Sequence, residues 1–371
     1  MRPVLYPAGS IAPADFMNMG IGILPDAVTC IVTEERNGDY TLSMTYPTNG
    51  RHFSDIVPGR VIYAFNGDAP QPFEITFVSR PMGGIVQVEA IHAAQNIAAY
   101  IVANNTYTTT ASAQAALTWL TGVCAGFTAQ TFPITLASDI TLGSAAQFGP
   151  KERPTRVKDL LYGADGSALD VYGGEWLWDH NTATLKATRG QARNVWLTYG
   201  KNIADIVQEV NLDGVATVVY PYWHNNDTWV YSSASRLVES EHVLEYPYKR
   251  IIAVDVTEAL GTDSTPSQAQ VQAAGEAYIR SNQVGVPDVT ISVKFIPMHQ
   301  TSGNEWMEGL ETVGLCDTVI VDYPPLGINM TAKVIRTEWD VIRERYDSVE
   351  IGTTVKPSLA TAILKYMEKK T

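Results

Sequence analysis

The chain has 371 residues, a formal net charge of −13 and three widely spaced cysteines. This length predicts two to four domains with a large apolar interior. The acidic balance excludes a general binder of the nucleic-acid backbone, which needs clustered lysine and arginine. No stretch has the roughly 18 apolar residues of a membrane-spanning helix, and the first residues lack the apolar segment of a secretory signal. We therefore predict a soluble protein made in a reducing cytoplasm, with its cysteines as buried free thiols.

Residues 1–95 have the pattern of short antiparallel strands. Apolar residues alternate by twos on both sides of Asn37-Gly38, a pair that supplies the positive φ angles of a hairpin turn. Further strand-like runs follow at 60–65, 72–80 and 85–91, separated by glycine-containing turns. The pattern predicts a small β-barrel or sandwich.

Residues 96–200 predict an α+β domain. A helical pattern at 112–123 begins behind Ser112 as N-cap, and a second short helix follows Thr155. A third begins at Ser167 and ends at Gly173-Gly174, after which strands return. Capping residues before and glycines after each apolar stripe are the basis of these boundaries.

The remainder predicts a second barrel interrupted by an insertion. Residues 201–245 and 305–355 alternate as strands, and we predict that they form a discontinuous β-barrel with the topology of residues 1–95. Residues 246–304 predict an inserted β-α-β domain in which Thr265-Pro266-Ser267-Gln268 is a capping box. Residues 356–371 predict an amphipathic helix. The predicted fold class is mainly β with α+β insertions, with two small antiparallel β-barrel-like domains and two α/β domains.

The run Glu175-Trp176-Leu177-Trp178-Asp179 places two carboxylates beside two tryptophans, as in a sugar-cleaving cleft. On a strand, residues four apart share a face at roughly 13 Å, beyond the roughly 5–9.5 Å of paired catalytic carboxylates. The tryptophans point to the opposite face, where core or interface packing is favoured over a sugar platform. The two carboxylates therefore cannot form a glycosidase site by themselves.

Other candidate sites are equally incomplete. The six histidines occur singly and the cysteines lack CxxC spacing, so we predict no metal and no cofactor. Tyr199-Gly200-Lys201-Asn202 lacks the glycine-rich loop and following Ser or Thr of a phosphate cradle, and we interpret it as a turn between strands. For Tyr222, Trp223 and Trp229, a ligand surface and a subunit interface both stay open.

Two groups of motifs resemble the prophage tail protein family of siphophage tail tips, whose members are also named tail endopeptidases or tail-associated lysins. One group lies between residues 167 and 203, and the other contains Gly314-Leu315-Cys316-Asp317 and the run from Arg345 to Gly352. Cys316 stands where the family pattern has glycine. The family-motif residues of the first group are Asp170, Gly173, Gly174, Glu175, Asp179, Arg189, Gly190, Tyr199, Gly200, Lys201 and Asn202.

The resemblance implies a phage baseplate-hub-like fold and a structural role at the tail tip of the virion of a long-tailed phage. It implies a homotrimeric ring that contacts the distal tail protein, other tail-tip proteins and the tape-measure protein, and lets DNA pass without specific binding. We expect an acidic or neutral channel wall, because a basic wall would hold the phosphates. The expected interface aromatics are Trp176, Trp178, Tyr222, Trp223 and Trp229.

The resemblance also bears on catalysis. The resemblance implies that hydrolytic activity, where family members have it, belongs to C-terminal extensions. This sequence stops at Thr371, directly after the hub region. We therefore expect a non-enzymatic protein without catalytic residues. Two alternatives stay open: a tail-associated cell-wall hydrolase (endopeptidase), and a carbohydrate-binding receptor module that uses the tryptophan and tyrosine clusters.

Overall fold

The structure is a computed structural model that divides into two compact units. Unit 1 contains Met1–Ile206 and Ser292–Gly352, and unit 2 contains Val207–Ile291 and Thr353–Thr371. No helix in the described part of the chain is both long and apolar enough to cross a membrane. The described residues are 2–79, 82–97, 100–103, 106–109, 112–126, 132–141, 146–150, 154–162, 166–198, 203–212, 215–233, 235–262, 264–282, 284–286, 288–295, 313–323 and 328–353.

Strands dominate the element order. The N-terminal strands are β1 Val4–Tyr6, β2 Gly22–Ile23, β3 Thr29–Glu35, β4 Tyr40–Pro47, β5 Val61–Phe65, β6 Pro70–Val78 and β7 Ile85–His92. The next segment contains β8 Tyr100–Val102, β9 Tyr107–Thr109, α1 Ala113–Val123, β10 Ala125–Gly126, β11 Thr135–Ser138, β12 Ala146–Phe148, β13 Thr155–Arg156, α2 Val157–Tyr162, α3 Ala168–Tyr172, β14 Glu175–Asp179, β15 Thr182–Lys186 and β16 Ala192–Thr198. The predicted mainly β fold class is confirmed.

After β16 the chain passes from unit 1 into unit 2 and then returns to unit 1. The later elements are β17 Ile203–Asn211, β18 Val218–Asn225, β19 Thr228–Tyr231, β20 Val238–Glu239, β21 Ile251–Asp255, α4 Thr257–Leu260, α5 Gln268–Ser281, β22 Asp288–Phe295, β23 Thr318–Tyr323, β24 Ile328–Asp340 and β25 Arg345–Thr353. Four short 3-10 helices occur at Pro13–Phe16, Phe53–Asp55, Ala93–Gln95 and Val243–Glu245. The helix predicted at 356–371 lies outside the described residues.

The main sheet of unit 1 starts from the predicted hairpin. Asn37 has φ +56° in the turn between β3 and β4, and these strands pair from Thr29 opposite Thr45 to Glu34 opposite Tyr40. The sheet continues in the order β25-β24-β3-β4-β7-β6-β5-β1-β2. Alternate residues of β4 are buried while their neighbours are partly exposed, as a sheet with one face on the core requires.

The C-terminal strands belong to this same sheet, in which β17 and β22 lie beyond β25. β24 pairs antiparallel with β3, from Arg336 opposite Glu35 to Asp340 opposite Ile31. β23 pairs antiparallel with β24 and parallel with β16. Strands 313–353 therefore belong with residues 1–206, whereas β18 to β20 lie in the other unit. Of the strands predicted for the second barrel, β17 shares this sheet with β23 to β25, and β18 to β20 do not. The closure of a second barrel stays a prediction.

The predicted boundary near residue 95 is not a boundary between units. One cluster of buried residues runs from Leu42 and Phe73 of the first sheet to Leu160 and Trp176 of the α+β segment. The predicted caps are confirmed: the Ser112 side chain accepts a hydrogen bond from the Ala115 amide, and Ser167 caps α3. Burial of both segments in one core makes them one folding unit.

Unit 2 contains a four-stranded sheet with helices on one face. β18 is central, antiparallel to β19 and β20 and parallel to β21. The predicted capping box is displaced by two residues: Ser267 is the N-cap and Gln270 completes the box, because Pro266 precedes the helix. Val271 of α5 packs with Val219 and Trp223 in a separate apolar core.

We expect Trp223→Ala to lower the free energy of unfolding of unit 2 by about 3 to 5 kcal/mol, the usual cost of truncating a buried Trp. Trp223 is only 1% exposed, and its indole N–H donates to the Gly261 carbonyl over 2.8 Å. Urea unfolding measures the change. Trp229→Ala is the matched control and should cost less than about 0.5 kcal/mol, because this side chain is 52% exposed. Equal losses in the two variants would contradict this core.

Candidate functional site: a buried charge cluster among the family motifs

Glu175 is the centre of a buried group of charges in unit 1. The residue is 2% exposed at the start of β14. Its carboxylate accepts hydrogen bonds from Arg36 Nε over 2.8 Å and Lys333 Nζ over 2.6 Å. A third comes from the Arg189 backbone amide over 2.8 Å. Burial alone would raise the pKa of Glu175, but these donors and cations together hold it below its usual value of 4.5.

Arg189 links the same cluster to β3. Its guanidinium lies 2.7 Å from the buried carboxylate of Glu34 and donates to the Trp176 carbonyl over 3.1 Å. Burial opposes the charged guanidinium, but the negative charge of Glu34 raises the pKa of Arg189 above its usual value. Two carboxylates and three cationic groups therefore neutralise most of each other's charge inside the unit, as buried ions require.

A third carboxylate fixes the turn before β23. Asp317 is buried and accepts hydrogen bonds from the Gly314 and Gln191 amides over 2.9 and 2.8 Å. Arg193 Nε donates to it over 3.0 Å. This turn also contains Cys316 at φ +70°, a backbone conformation in which glycine is usual. The glycine of the family pattern is thus explained, and the cysteine here adopts the same conformation.

Gly190 lies directly against this turn. A Cβ atom at residue 190 would come 1.9 Å from the Cys316 carbonyl oxygen, far inside van der Waals contact. The Thr318 amide donates to the Gln191 carbonyl over 2.9 Å, which holds the two segments at this separation. Only glycine fits at residue 190 without a backbone shift.

The first hairpin turn completes the arrangement. The Asn37 side chain donates to the Gly174 carbonyl over 3.0 Å and accepts from the Trp176 amide over 2.9 Å. Asn37 therefore satisfies the backbone at the beginning of β14, where Gly174 has φ +90°. The hairpin, the 187–191 loop, β14 and the β23–β24 pair all meet at Glu175.

The charge cluster stabilises the fold, and its described residues place no reactive group beside the carboxylates. Each cationic group that touches Glu175 or Glu34 is held by a carboxylate, and no hydroxyl or thiol nucleophile touches the carboxylates in the described residues. Cys316 lies nearby, but burial raises the pKa of its thiol to about 12, so it stays protonated and unreactive. Glu175, Arg189 and Asp317 thus make their contacts within unit 1.

Asp179 and His180 form a separate hydrogen-bonded chain. Asp179 Oδ1 lies 2.7 Å from His180 Nδ1, and His180 Nε2 lies 3.0 Å from the Tyr63 hydroxyl. Gln71 bridges the group by donating to Asp179 over 3.1 Å and accepting from the His180 amide over 3.0 Å. The order carboxylate, imidazole, hydroxyl is that of a nucleophile triad. However, burial raises the pKa of Tyr63, and Phe16 stacks on its ring with centroids 4.1 Å apart.

The two carboxylates of the run from Glu175 to Asp179 have different partners. Glu175 lies in the charge cluster, whereas Asp179 bonds Gln71 and His180. Asp170 is a capping residue that accepts from the Gly166 amide over 2.9 Å, and Gly173 ends α3 with φ +64°. The motif residues Tyr199, Gly200, Lys201 and Asn202 lie outside the described residues.

Three of the expected interface aromatics are core residues, which corrects that prediction. Trp176 and Trp178 are 1% and 4% exposed. Trp176 donates to the Leu161 carbonyl over 3.0 Å, and Trp178 stacks on Tyr162. Trp223 is buried in unit 2. Only Tyr222 and Trp229 keep accessible ring surface, so the interface hypothesis applies to these two alone.

The charge cluster also contains residues that the sequence analysis missed. Glu34, Arg36, Asn37 and Lys333 were not predicted as site residues, although Asn37 was assigned to a turn. They lie in strands and a turn whose local pattern indicates only a sheet surface. Their signal is weak: a charged residue among the alternating apolar positions of a strand. Among the described residues no three His, Cys, Asp or Glu side chains are grouped as metal ligands; the absence of a metal stays a prediction.

We expect Gly190→Ala to lower the free energy of unfolding by about 2 kcal/mol or more, because the new methyl group meets backbone that cannot move alone. Gly122→Ala is the control. It lies in α1 with nothing within 4 Å of the place that the new methyl group would occupy, so helix propensity should stabilise it by about 0.5–1 kcal/mol. Thermal and urea unfolding separate the two. Equal effects would contradict the contact with the Cys316 turn.

We expect Glu175→Gln to destabilise unit 1 by about 3 to 5 kcal/mol at pH 7, since Arg36 and Lys333 lose a buried partner. The folded-state pKa of Glu175 is below 4.5, so its contribution is complete above that value and is lost as pH falls through the folded-state pKa. The variant should therefore lose less stability in acid than the wild type. Asp39→Asn removes an exposed pair with Lys158 and should cost at most about 1 kcal/mol. Parallel pH profiles of wild type and Glu175→Gln would contradict the assignment.

Comparison with known proteins finds a family model that matches part of the chain. Residues 191–360 match the family model described as prophage endopeptidase tail. No curated protein matches the sequence. The match covers the Asp317 turn and the strands β23 to β25, and it begins two residues after Arg189.

Solved structures with the same fold are tail proteins. Prophage tail protein gp18 from Listeria monocytogenes EGD-e is 15% identical with a TM-score of 0.54, over 100% of both chains. The 43 kDa tail protein of prophage MuSo2 from Shewanella oneidensis is 9% identical with a TM-score of 0.57, over 97% of this chain and 100% of that one. The tail protein from Neisseria meningitidis MC58 is 10% identical with a TM-score of 0.55, over 97% and 98%. The resemblance to the prophage tail protein family is therefore confirmed, by sequence over residues 191–360 and by fold over the whole chain.

Proposed function

We propose that this protein is a structural hub of the tail tip, in the virion of a long-tailed bacteriophage or prophage. The observation that carries the proposal is the use of the motif residues. Glu175, Arg189, Gly190 and Asp317 hold segments together in the interior of unit 1, where they are inaccessible to substrate. Motif residues that hold the interior of a unit together support a role in assembly rather than in catalysis.

The proposed assembly is a homotrimeric ring at the distal end of the tail tube. Its neighbours would be the distal tail protein, other tail-tip proteins and the tape-measure protein, which passes the tip with the DNA. The formal charge of −13 supports passage without specific binding, because an acidic or neutral channel wall would not retain phosphates.

A cell-wall hydrolase is the competing function, since the matching family model is described as an endopeptidase. In the described residues, the nearest approach to a catalytic group is Asp179, His180 and Tyr63. The raised pKa of Tyr63 keeps its hydroxyl protonated, and Phe16 covers the ring. A nucleophile needs the opposite: access and a lowered pKa. No specific observation therefore favours hydrolysis over the structural role.

We expect this protein to occur in three copies at one end of assembled tails. Induced prophage particles carrying an epitope-tagged chain should bind antibody gold at the distal tip only, and quantitative mass spectrometry should give three copies per tail. Glu175→Gln should reduce tip incorporation, because the unit that contains it unfolds more readily. Asp39→Asn is the matched control and should assemble normally. Labelling along the whole tube, or its absence from particles, would refute the proposal.

The hydrolase alternative is tested on the same preparations. Purified protein incubated with peptidoglycan should release no soluble fragments, and Tyr63→Phe should behave as the wild type. Fragment release by the wild type that is lost in Tyr63→Phe would establish a hydrolase built on the Asp179–His180–Tyr63 chain.

A further inference from the structure

Unit 2 has an aromatic surface on the side of its sheet that lies away from α5. Tyr222 pairs with Tyr231 and His224 with Trp229 across β18 and β19. Cross-strand partners and residues two apart along a strand share one side of a sheet. The same side therefore also contains Tyr220. We call these five residues the outer aromatic face.

The rings of the outer aromatic face contact one another in two groups. Trp229 lies 5.6 Å from Tyr222 and 5.0 Å from His224 between ring centroids. Tyr220 and Tyr231 are 5.7 Å apart at the other end. Trp229 is half exposed, although an aromatic ring of this size is normally buried as core or as contact surface. The half-exposed Trp229 ring and the partly exposed Tyr222 ring beside it offer apolar surface to a ligand.

The charged groups beside these rings are already paired. His224 Nε2 lies 3.1 Å from Asp255 Oδ2, and the other Asp255 oxygen accepts from the Thr257 amide over 2.9 Å. Arg236 lies over the Tyr231 ring at 4.0 Å and donates to the Tyr220 hydroxyl over 3.1 Å. The face thus combines ring planes with planar polar groups but leaves no unpaired charge in its described residues. This favours a neutral ligand.

The charge of the whole unit points the same way. Residues 207–291 contain 11 Asp and Glu against 4 Lys and Arg, a formal charge of −7. Like charges across a contact disfavour association, so an anionic polymer would be repelled. A neutral molecule with flat apolar faces and hydroxyl edges does not meet this obstacle.

We propose that the outer aromatic face binds a neutral pyranose saccharide. The C–H face of a sugar ring would lie on Trp229 and Tyr222, and its hydroxyl groups would hydrogen-bond at the edges. The Trp229 indole N–H and the Tyr222 hydroxyl have no hydrogen-bond partner among the described residues and serve as donors, while Asp255 and Arg236 supply an acceptor and a donor at the rim. This site goes beyond the proposed hub role, since it does not depend on where the chain lies in the tail.

The purified full chain can be titrated with maltotriose and with chitotriose, with tryptophan fluorescence and calorimetry as readouts. We expect saturable binding of at least one of them, with a roughly millimolar Kd. Trp229→Ala should weaken it about tenfold or more, while Trp229→Phe should retain most of the affinity because a ring is kept. Leu244→Ala is the control: this residue of unit 2 is 94% exposed on a 3-10 helix outside the face, and its loss should change nothing.

Several results would overturn the saccharide site. They are no saturable binding of either sugar, binding that Trp229→Ala leaves unchanged, or equally tight binding of dextran sulfate. A fall in solution mass on Trp229→Ala would identify the face as a contact between copies instead. Tip labelling of assembled tails tests the hub role separately, so either idea can fail while the other stands.

Discussion

The fold of unit 1 depends on the cost of burying one carboxylate. Glu175 is almost inaccessible to solvent, and an unpaired charge there would cost several kcal/mol. Its partners Arg36, Arg189 and Lys333 come from three distant parts of the chain. All three segments must be in place before the charge is compensated, so the cluster makes the hairpin, the 187–191 loop and β24 mutually dependent. Hydrophobic burial supplies most of the stability of the unit, whereas the cluster selects this one arrangement of its strands.

Steric fit and charge act on the same turn. Asp317 binds the amides of Gly314 and Gln191, and this holds the Cys316 carbonyl where only a glycine fits opposite. Gly190 is thus required by Asp317, and the positive φ of Cys316 follows from the same turn. A motif that looks like scattered glycines and acids in the sequence is one contact in space. Substitutions of Gly190 and of Asp317 should have non-additive effects on stability, because the two segments share backbone hydrogen bonds.

Local features were predictable from the sequence, and long-range partners were not. The Asn37-Gly38 hairpin and the Ser112 and Ser167 caps follow from neighbouring residues, and all were confirmed. The pairing of β24 with β3 joins residues about 300 positions apart, and alternation alone does not say which strands meet. Glu175 and Arg189 were recognised through the family motif, but Glu34, Arg36 and Lys333 were missed because nothing local marks them. Trp223 was predicted as an accessible aromatic residue. Alternation along β18 shows that the strand has two sides, but it does not show which side α5 covers.

Several groups of unit 1 have shifted pKa values that hold each of them in one protonation state near neutral pH. General acids and bases work best with pKa values near the working pH. In unit 1 the shifts go the other way: the pKa of Glu175 is lowered, those of Arg189 and Tyr63 are raised, and the pKa of His92 falls to about 3 through burial. Each of these groups therefore keeps one protonation state across the neutral range. Fixed charges and fixed hydrogen-bond donors maintain one geometry through changes of pH. Proton transfer at pH 7 would need a group that can exist in both states, and the shifts of Glu175 and Arg189 lead away from that condition.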